Sequence, residues 1–323
     1  MQDSYAGQGG VLFVSQPFIS VFLNKVKISK PTAISGGVAF VENAFRFDVI
    51  DSELYDFKAN KSSLMYSSSE AYTLAITRSL ITCEKPYKTD DRTATLQNNI
   101  IPPFNSTNTI YLTGTALTQV IITESTFKQC GINEDGGVFR LEGKVNFTDS
   151  KSTYSDNSAI EGAIISCSGC NVTMVKSTIS NNQAIRGGVI KLEALANFTA
   201  YQVYFVQNSA RELGGVIFAT TQSLFNIKNS EFIKNFADVS STIDALGVSS
   251  TGTNYIELCN FEQNRANKNT ISLNKARASI AKSSFIENTA NERSKNLFIG
   301  FSEVNISDCT FRSTPYNNPI KIA

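Results

Sequence analysis

The chain has 323 residues, 29 basic against 28 acidic, a net charge of +1 and no block of like charges, so neither nucleic acid nor an anionic membrane surface is favoured as a partner. Charged residues make up only 18%, and the outer polarity comes instead from Ser, Thr and Asn. His and Trp are both absent, which removes the commonest general acid/base, the commonest metal ligand and the usual partner of a nucleophilic Ser or Cys and so excludes several enzyme classes; no cofactor or metal site is expected.

From the N-terminus, residues 1–10 are polar and Gly-rich, with no basic n-region or apolar h-region, and no run approaches 18 apolar residues anywhere. Any signal peptide or membrane anchor would therefore lie outside this segment, and no direct membrane span is expected within it. Gly9-Gly10 opens the first of a series of glycine pairs that continues at Gly36-Gly37, Gly136-Gly137, Gly187-Gly188 and Gly214-Gly215, with Glu161-Gly162 in the equivalent place. Beside it runs a ladder of large apolar residues: Ile28, Leu54, Ile81, Phe127, Tyr154, Ile179, Phe205, Phe232, Phe261, Phe285 and Phe311. From Tyr154 onward six copies add Asn three residues later and Ala five residues later, as in Phe205/Asn208/Ala210, at intervals of 24 to 29 residues.

A fixed period of this length marks a stacked solenoid. Within each unit, segments such as 188–193 and 196–203 alternate with period two and none sustains a 3.6 period, so the unit is built of roughly three short strands. Successive units pairing in parallel at about 4.8 Å give an all-β, right-handed parallel β-helix of eleven or twelve coils, about 26 residues each, as one domain over 1–323. The ladder then fills the interior, Asn marks a turn and can bond to its own backbone and to the Asn above and below, paired glycines supply positive φ at the opposite corner, and Ala lets the chain turn inward closely.

One interval breaks the period. Ile81 to Phe127 spans 46 residues, which places an inserted loop at about 84–108. Long loops on rigid scaffolds carry function disproportionately, so this loop is the expected place for a partner site. It holds Asp90-Asp91-Arg92, and Glu134 and Asp135 follow in the next coil. These are the nearest approach to an acidic catalytic group, with Asp91 and Asp135 the residues whose loss an enzyme would feel, but adjacent residues on a loop fix no carboxylate spacing.

Six cysteines and six N-x-[ST] sequons, at Asn60, Asn105, Asn146, Asn171, Asn197 and Asn305, together fit an oxidising secretory route and an extracellular or cell-surface location. Cys83 and Cys130 flank the insertion at similar places in consecutive coils and can bridge its base. Cys167-Ser-Gly-Cys170 reads as a local disulfide clamping a turn. Cys259 and Cys309 each precede a ladder Phe by two residues but lie two coils apart, beyond disulfide reach, and are expected to stay reduced or to pair elsewhere. Asn146, Asn171 and Asn197 each precede their ladder residue by eight, which predicts a stacked stripe, either glycosylated or a plain Asn/Thr ladder.

The alternation of G-G-[AVI]-[IF] with F-x-x-N-x-A, best seen in 205–217, resembles the repeats of polymorphic outer-membrane adhesins of chlamydiae and, more broadly, the pectin-lyase-like right-handed β-helices. Similar repeats occur in long surface proteins of ciliates and other protists. The resemblance spans about residues 9–315, and after Phe232 the glycine pairs give way to Ser-Thr, Asn-Thr and Lys-Asn. It implies a secreted or surface-displayed β-helix, adhesive or structural. The expected function is therefore a non-enzymatic glycoprotein serving as spacer, adhesin or fibre subunit; the alternative is a β-helix that binds or cleaves polysaccharide. Neither end shows a recognisable cap, so expected partners are further copies or flanking domains through the solenoid ends, along with glycans or host and cell-surface proteins.

Overall fold

A computed structural model describes residues 5–16, 18–42, 44–67, 72–83, 108–131, 134–247, 252–290, 295–312 and 320–322. Among these residues there is no helix, and the strands pair in parallel throughout, coil upon coil. The ladder strands form one sheet of eleven rungs, from Lys27–Ser29 to Thr310–Arg312, so the chain is a parallel β-solenoid of about ten turns, slightly fewer than the eleven or twelve coils expected. Every ladder residue pairs with the next in the register predicted, from Ile28↔Leu54 to Phe285↔Phe311.

One coil shows how the sequence makes the turn. Thr178–Ser180 is a three-residue strand with Ile179 pointing in; Gln183–Arg186 carries Ala184; the Gly187-Gly188 pair follows; Ile190–Glu193 and Asn197–Tyr201 complete the circuit. There are four short strands here rather than three, because the Ala position does not turn but pairs with its neighbours in a sheet of its own. Phe205, Phe232, Phe261 and Phe285 stack face to face at 4.7–4.8 Å, the spacing of parallel strands. Each ring is fully buried, worth about 1.5–3 kcal/mol of burial apiece.

Two further ladders hold the coils together. Asn157, Asn182, Asn208, Asn235, Asn264 and Asn288 are all buried, and each accepts at Oδ1 from both the backbone N–H and the side-chain amide of the Asn one coil earlier, where that coil has one. The amides also donate to the carbonyl of the preceding coil's ladder residue, as Asn208 Nδ2 does to Ile179 at 3.0 Å, rather than chiefly to their own backbone. Serine forms the second ladder, two residues before most apolar rungs: Ser52, Ser79, Ser125, Ser152 and Ser177 each accept at Oγ the backbone N–H of the residue one coil earlier.

Cys259 and Cys309 occupy this serine position. Cys259 Sγ donates to the carbonyls of Glu257 (3.3 Å) and Ile227 (3.5 Å), as Ser79 Oγ does to those of Thr77 and Val49. Both cysteines are unpaired, and burial pushes the Cys259 thiol up to about 12, so it is not a thiolate at neutral pH. Cys259→Ser should leave the melting temperature within a degree or two of wild type, and Cys259 should resist alkylation in the folded protein at pH 7; a large loss of stability would mean that the sulfur packs in a way the ladder does not require.

The corners beside the ladder strands are turned by residues other than glycine. Lys176 (φ 56°) and Asn181 (φ 57°) bracket Thr178–Ser180, and Lys151 (58°) and Asp156 (59°) bracket Thr153–Ser155. Side chains at these corners project outward, and opposite charges meet on successive coils, as in Arg78–Asp51 (2.6 Å) and Lys151–Glu124 (3.3 Å). Such exposed pairs add little stability, but they disfavour a slipped register.

Candidate functional site

The segment singled out for a partner, 84–108, lies outside the described residues up to 107, as do Asp90, Asp91, Arg92 and Asn105. Its closure is described. Cys83 and Cys130 lie at disulfide distance, Cα–Cα 4.7 Å, and the Cys83 sulfur is 3.3 Å from Thr109 Oγ1. The described chain on the two sides of the insertion therefore comes together at Cys83 and Thr109, and the rungs Leu80–Thr82 and Thr126–Lys128 pair directly with each other. Cys167 and Cys170 also lie at disulfide distance, Cα–Cα 5.6 Å, both buried, and close the corner between Ile165–Ser168 and Asn171–Val175.

The outward side of the strands that follow the glycine corner carries the densest chemistry. At one end Phe13, Phe40, Tyr66 and Tyr111 stand in register, ring centroids 5.7, 5.2 and 5.5 Å apart. The first two pairs lie face to face, so their ring faces cover one another and mostly edges are presented. Arg140 continues the column, its guanidinium 5.2 Å from the Tyr111 centroid, and Glu142 accepts from both the Tyr111 hydroxyl (2.9 Å) and Arg140 Nε (2.8 Å). Burial and the Glu142 carboxylate together push the Tyr111 phenol up to about 12.

Asp135, where the sequence put its nearest acidic candidate, belongs to an ionic clamp in the next part of the strip. Lys191 Nζ lies 3.0 Å from Asp135 Oδ2, 2.5 Å from Glu161 Oε2 and 3.2 Å from Glu193 Oε2, reaching back two coils to make the first contact. Arg186 pairs with Glu161 and lies over the Phe218 ring at 5.7 Å; Glu134 pairs with Arg140 at 3.7 Å. Burial lowers the proton affinity of Lys191, but the bonds to Glu161 and Asp135 outweigh it, so the ammonium is held above its ordinary range. Neither Lys191 nor Tyr111 is matched to proton transfer near neutrality. Farther along, Asp244 accepts from Ser240 Oγ at 2.7 Å, and burial raises its carboxyl to about 6.

The sequon stripe is in register: Asn146↔Asn171↔Asn197 pair on consecutive coils, with Asn171 Nδ2 donating to Asn146 Oδ1 (2.9 Å) and Asn197 Nδ2 to Asn171 Oδ1 (3.0 Å). The intervening Phe147, Val172 and Phe198 are buried, and Thr148, Thr173 and Thr199 stack beside the asparagines on the outside. Outward Asn, inward apolar, outward Thr is what strand alternation produces on a neutral polar face, so the motif has a structural reason at these three places. Asn305 is exposed on Glu303–Ser307, and Asn60 lies on Lys58–Lys61.

Sequence reasoning placed the sequon stripe and Cys83–Cys130 but missed the aromatic and ionic strip. Its columns mix Phe, Tyr, Arg, Ser, Lys and Asp, and only an alignment of units on the glycine corner, reading outward positions down successive coils, would have exposed it. Comparison with protein-family models, curated proteins and solved structures gave no match to this chain.

Proposed function

We propose that this chain is a non-enzymatic, secreted or cell-surface β-solenoid that serves as a rigid spacer, adhesin or fibre subunit. The observation that carries the reading is the continuity of the interior: stacked rings, an asparagine ladder and a serine ladder each tie one coil to the next over many coils, which favours a stiff rod over a mobile scaffold. Two cysteine pairs at disulfide distance and an outward Asn/Thr face bearing sequons support an extracellular setting. The resemblance of the repeats to bacterial adhesins and protist surface proteins supports it further.

The alternative, binding or cleavage of polysaccharide, draws on one feature. Lys191, Phe218 and Asp244 face outward yet are 8%, 5% and 6% exposed, covered by neighbouring side chains such as Arg186 over Phe218. The close pairing of its cations with carboxylates favours a structural clamp over an open site.

Antibody labelling of intact source cells and of their medium tests the leading reading. Signal on unpermeabilised cells or in the medium is expected, with Cys83–Cys130 recovered as a disulfide; labelling that requires permeabilisation, with all cysteines as free thiols, would overturn it.

A further inference from the structure

The apolar ladder and the column beside it each carry one polar exception, and both fall in the same coil. The column runs inward from Leu23 through Val49, Ile76 and Ile122 to Asp149, and onward through Met174 to Ile306, aliphatic at every other place. Tyr154 is the only hydroxyl-bearing member of the ladder. Both side chains are 0% exposed. Asp149 Oδ2 accepts from Ser177 Oγ of the following coil, and Ser152 and the Ser150 backbone N–H lie beside the carboxylate. The Tyr154 hydroxyl faces it, yet Asp149 Oδ1 and the Tyr154 hydroxyl are both buried without a well-formed hydrogen bond.

Among the described residues, an ionised carboxylate in this place has no cation to answer it. Its own strand, Phe139–Ser150, flanks it with Ser150; Ile122 and Met174 pack above and below; Ser152, Tyr154 and Ser177 face it from the corner and the ladder. Lys151 and Lys176 stand at the adjoining corners but point out, Lys151 to Glu124 and Lys176 into solvent. A proton changes the account: the neutral carboxyl loses its desolvation penalty and gains an O–H that can pair with the orphaned Tyr154 oxygen.

We propose that Asp149, Tyr154, Ser152 and Ser177 form an internal proton-binding site, and that uptake of one proton there tightens the middle of the solenoid in a mildly acidic medium. The proton goes from the medium to Asp149, and no other covalent bond forms or breaks. Burial is the main cause of its raised affinity, to about 6 from an ordinary 3.8, with the Ser177 bond foremost among the polar neighbours that partly oppose it. The sign follows. A carboxyl that holds its proton more tightly folded than unfolded adds stability as pH falls from about 6 to about 4, and that stability is absent above 6. Asp244, raised to about 6 on the outer face, acts in the same direction and must be separated from it.

The test is carboxyl-carbon NMR titration of the whole chain, with thermal melts at pH 7.5 and 5.0 for wild type, Asp149→Asn and Asp244→Asn. Expected are an Asp149 midpoint near 6, a wild-type melting temperature several degrees higher at pH 5.0, and a clear reduction of that rise in Asp149→Asn beyond what Asp244→Asn removes. An Asp149 midpoint near 4, or a rise undiminished in Asp149→Asn, overturns the proposal. Should Asp149→Asn fail to fold, the wild-type midpoint decides alone.

Discussion

Replacing Asn208 with Ala is expected to destabilise the protein by about 3 kcal/mol or more, and replacing it with Asp by more than that at neutral pH. Asn208 sits in the middle of the ladder, 0% exposed, and its Oδ1 receives both the backbone N–H (3.1 Å) and the amide (2.9 Å) of Asn182, while its own amide serves Ile179 O and Asn235 Oδ1. Truncation removes the acceptor of a buried backbone donor and the side-chain donor to a buried carbonyl. Each buried polar group left unpaired costs about 1–3 kcal/mol. Aspartate keeps the acceptor but aims a carboxylate oxygen at the Ile179 carbonyl and the Asn235 oxygen; its penalty should shrink as pH falls and the group takes up a proton.

The ends of the ladder supply the control. Cys130 stands where the first Asn would be and contributes only its backbone N–H to Asn157 Oδ1, at 3.0 Å; at the other end Asn288 donates to Asn296 Oδ1 at 3.1 Å. Asn288 still accepts the backbone N–H and the amide of Asn264 and donates to the Phe261 carbonyl, with Asn296 in place of a successor, so Asn288→Ala should cost about as much as Asn208→Ala. Chemical denaturation of the three variants checks the order. A much smaller loss for Asn288→Ala than for Asn208→Ala would mean that the cost is set by place along the ladder rather than by the bonds each asparagine makes.

The parts of the fold legible in the sequence were those where the same residue type recurs for a geometric reason. Phe232 repeats as Phe261 and Phe285 because a ring stacked at strand spacing is best continued by another ring, and Asn208 repeats as Asn235 because an amide both gives and receives along the axis. The positive-φ corners escaped notice because their demand falls on the backbone, and the occupants change freely: Lys176, Gln202, Asn229 and Leu258 all adopt it. The serine ladder was half visible, interrupted by Val26, Val203, Cys259 and Cys309. Asp149 could not be told from a surface carboxylate without knowing that Thr148 faces out. Function stayed illegible for a related reason: the repeated residues are those that build the solenoid, and the outward strip of Arg140, Lys191, Phe218 and Asp244 does not repeat.

Gly188→Ala should be among the most damaging single-methyl changes available, with a loss of about 3 kcal/mol or more. A Cβ there would lie 2.1 Å from Gly215 O and 2.5 Å from Ser209 O, both backbone atoms of the next coil, which cannot swing aside as a side chain would. Later in the chain the same corner is built differently. Gly215 donates to the Ser240 carbonyl, and Ser240–Leu246 runs as one continuous strand through the place where the glycine pair had turned, with a register shift against Asn269–Asn274. Ser241 is thereby accommodated, so Ser241→Gly should change stability by less than about 1 kcal/mol. Because each coil contacts chiefly its neighbours, the damage in Gly188→Ala should stay local. Hydrogen exchange should show lost protection around Gln183–Arg186 and Ser209–Leu213, with Asn260–Glu262 and Ser284–Ile286 still protected. Uniform loss from end to end would instead mean that the solenoid unfolds as a single cooperative unit, and that coupling along the ladders exceeds what one coil can lose alone.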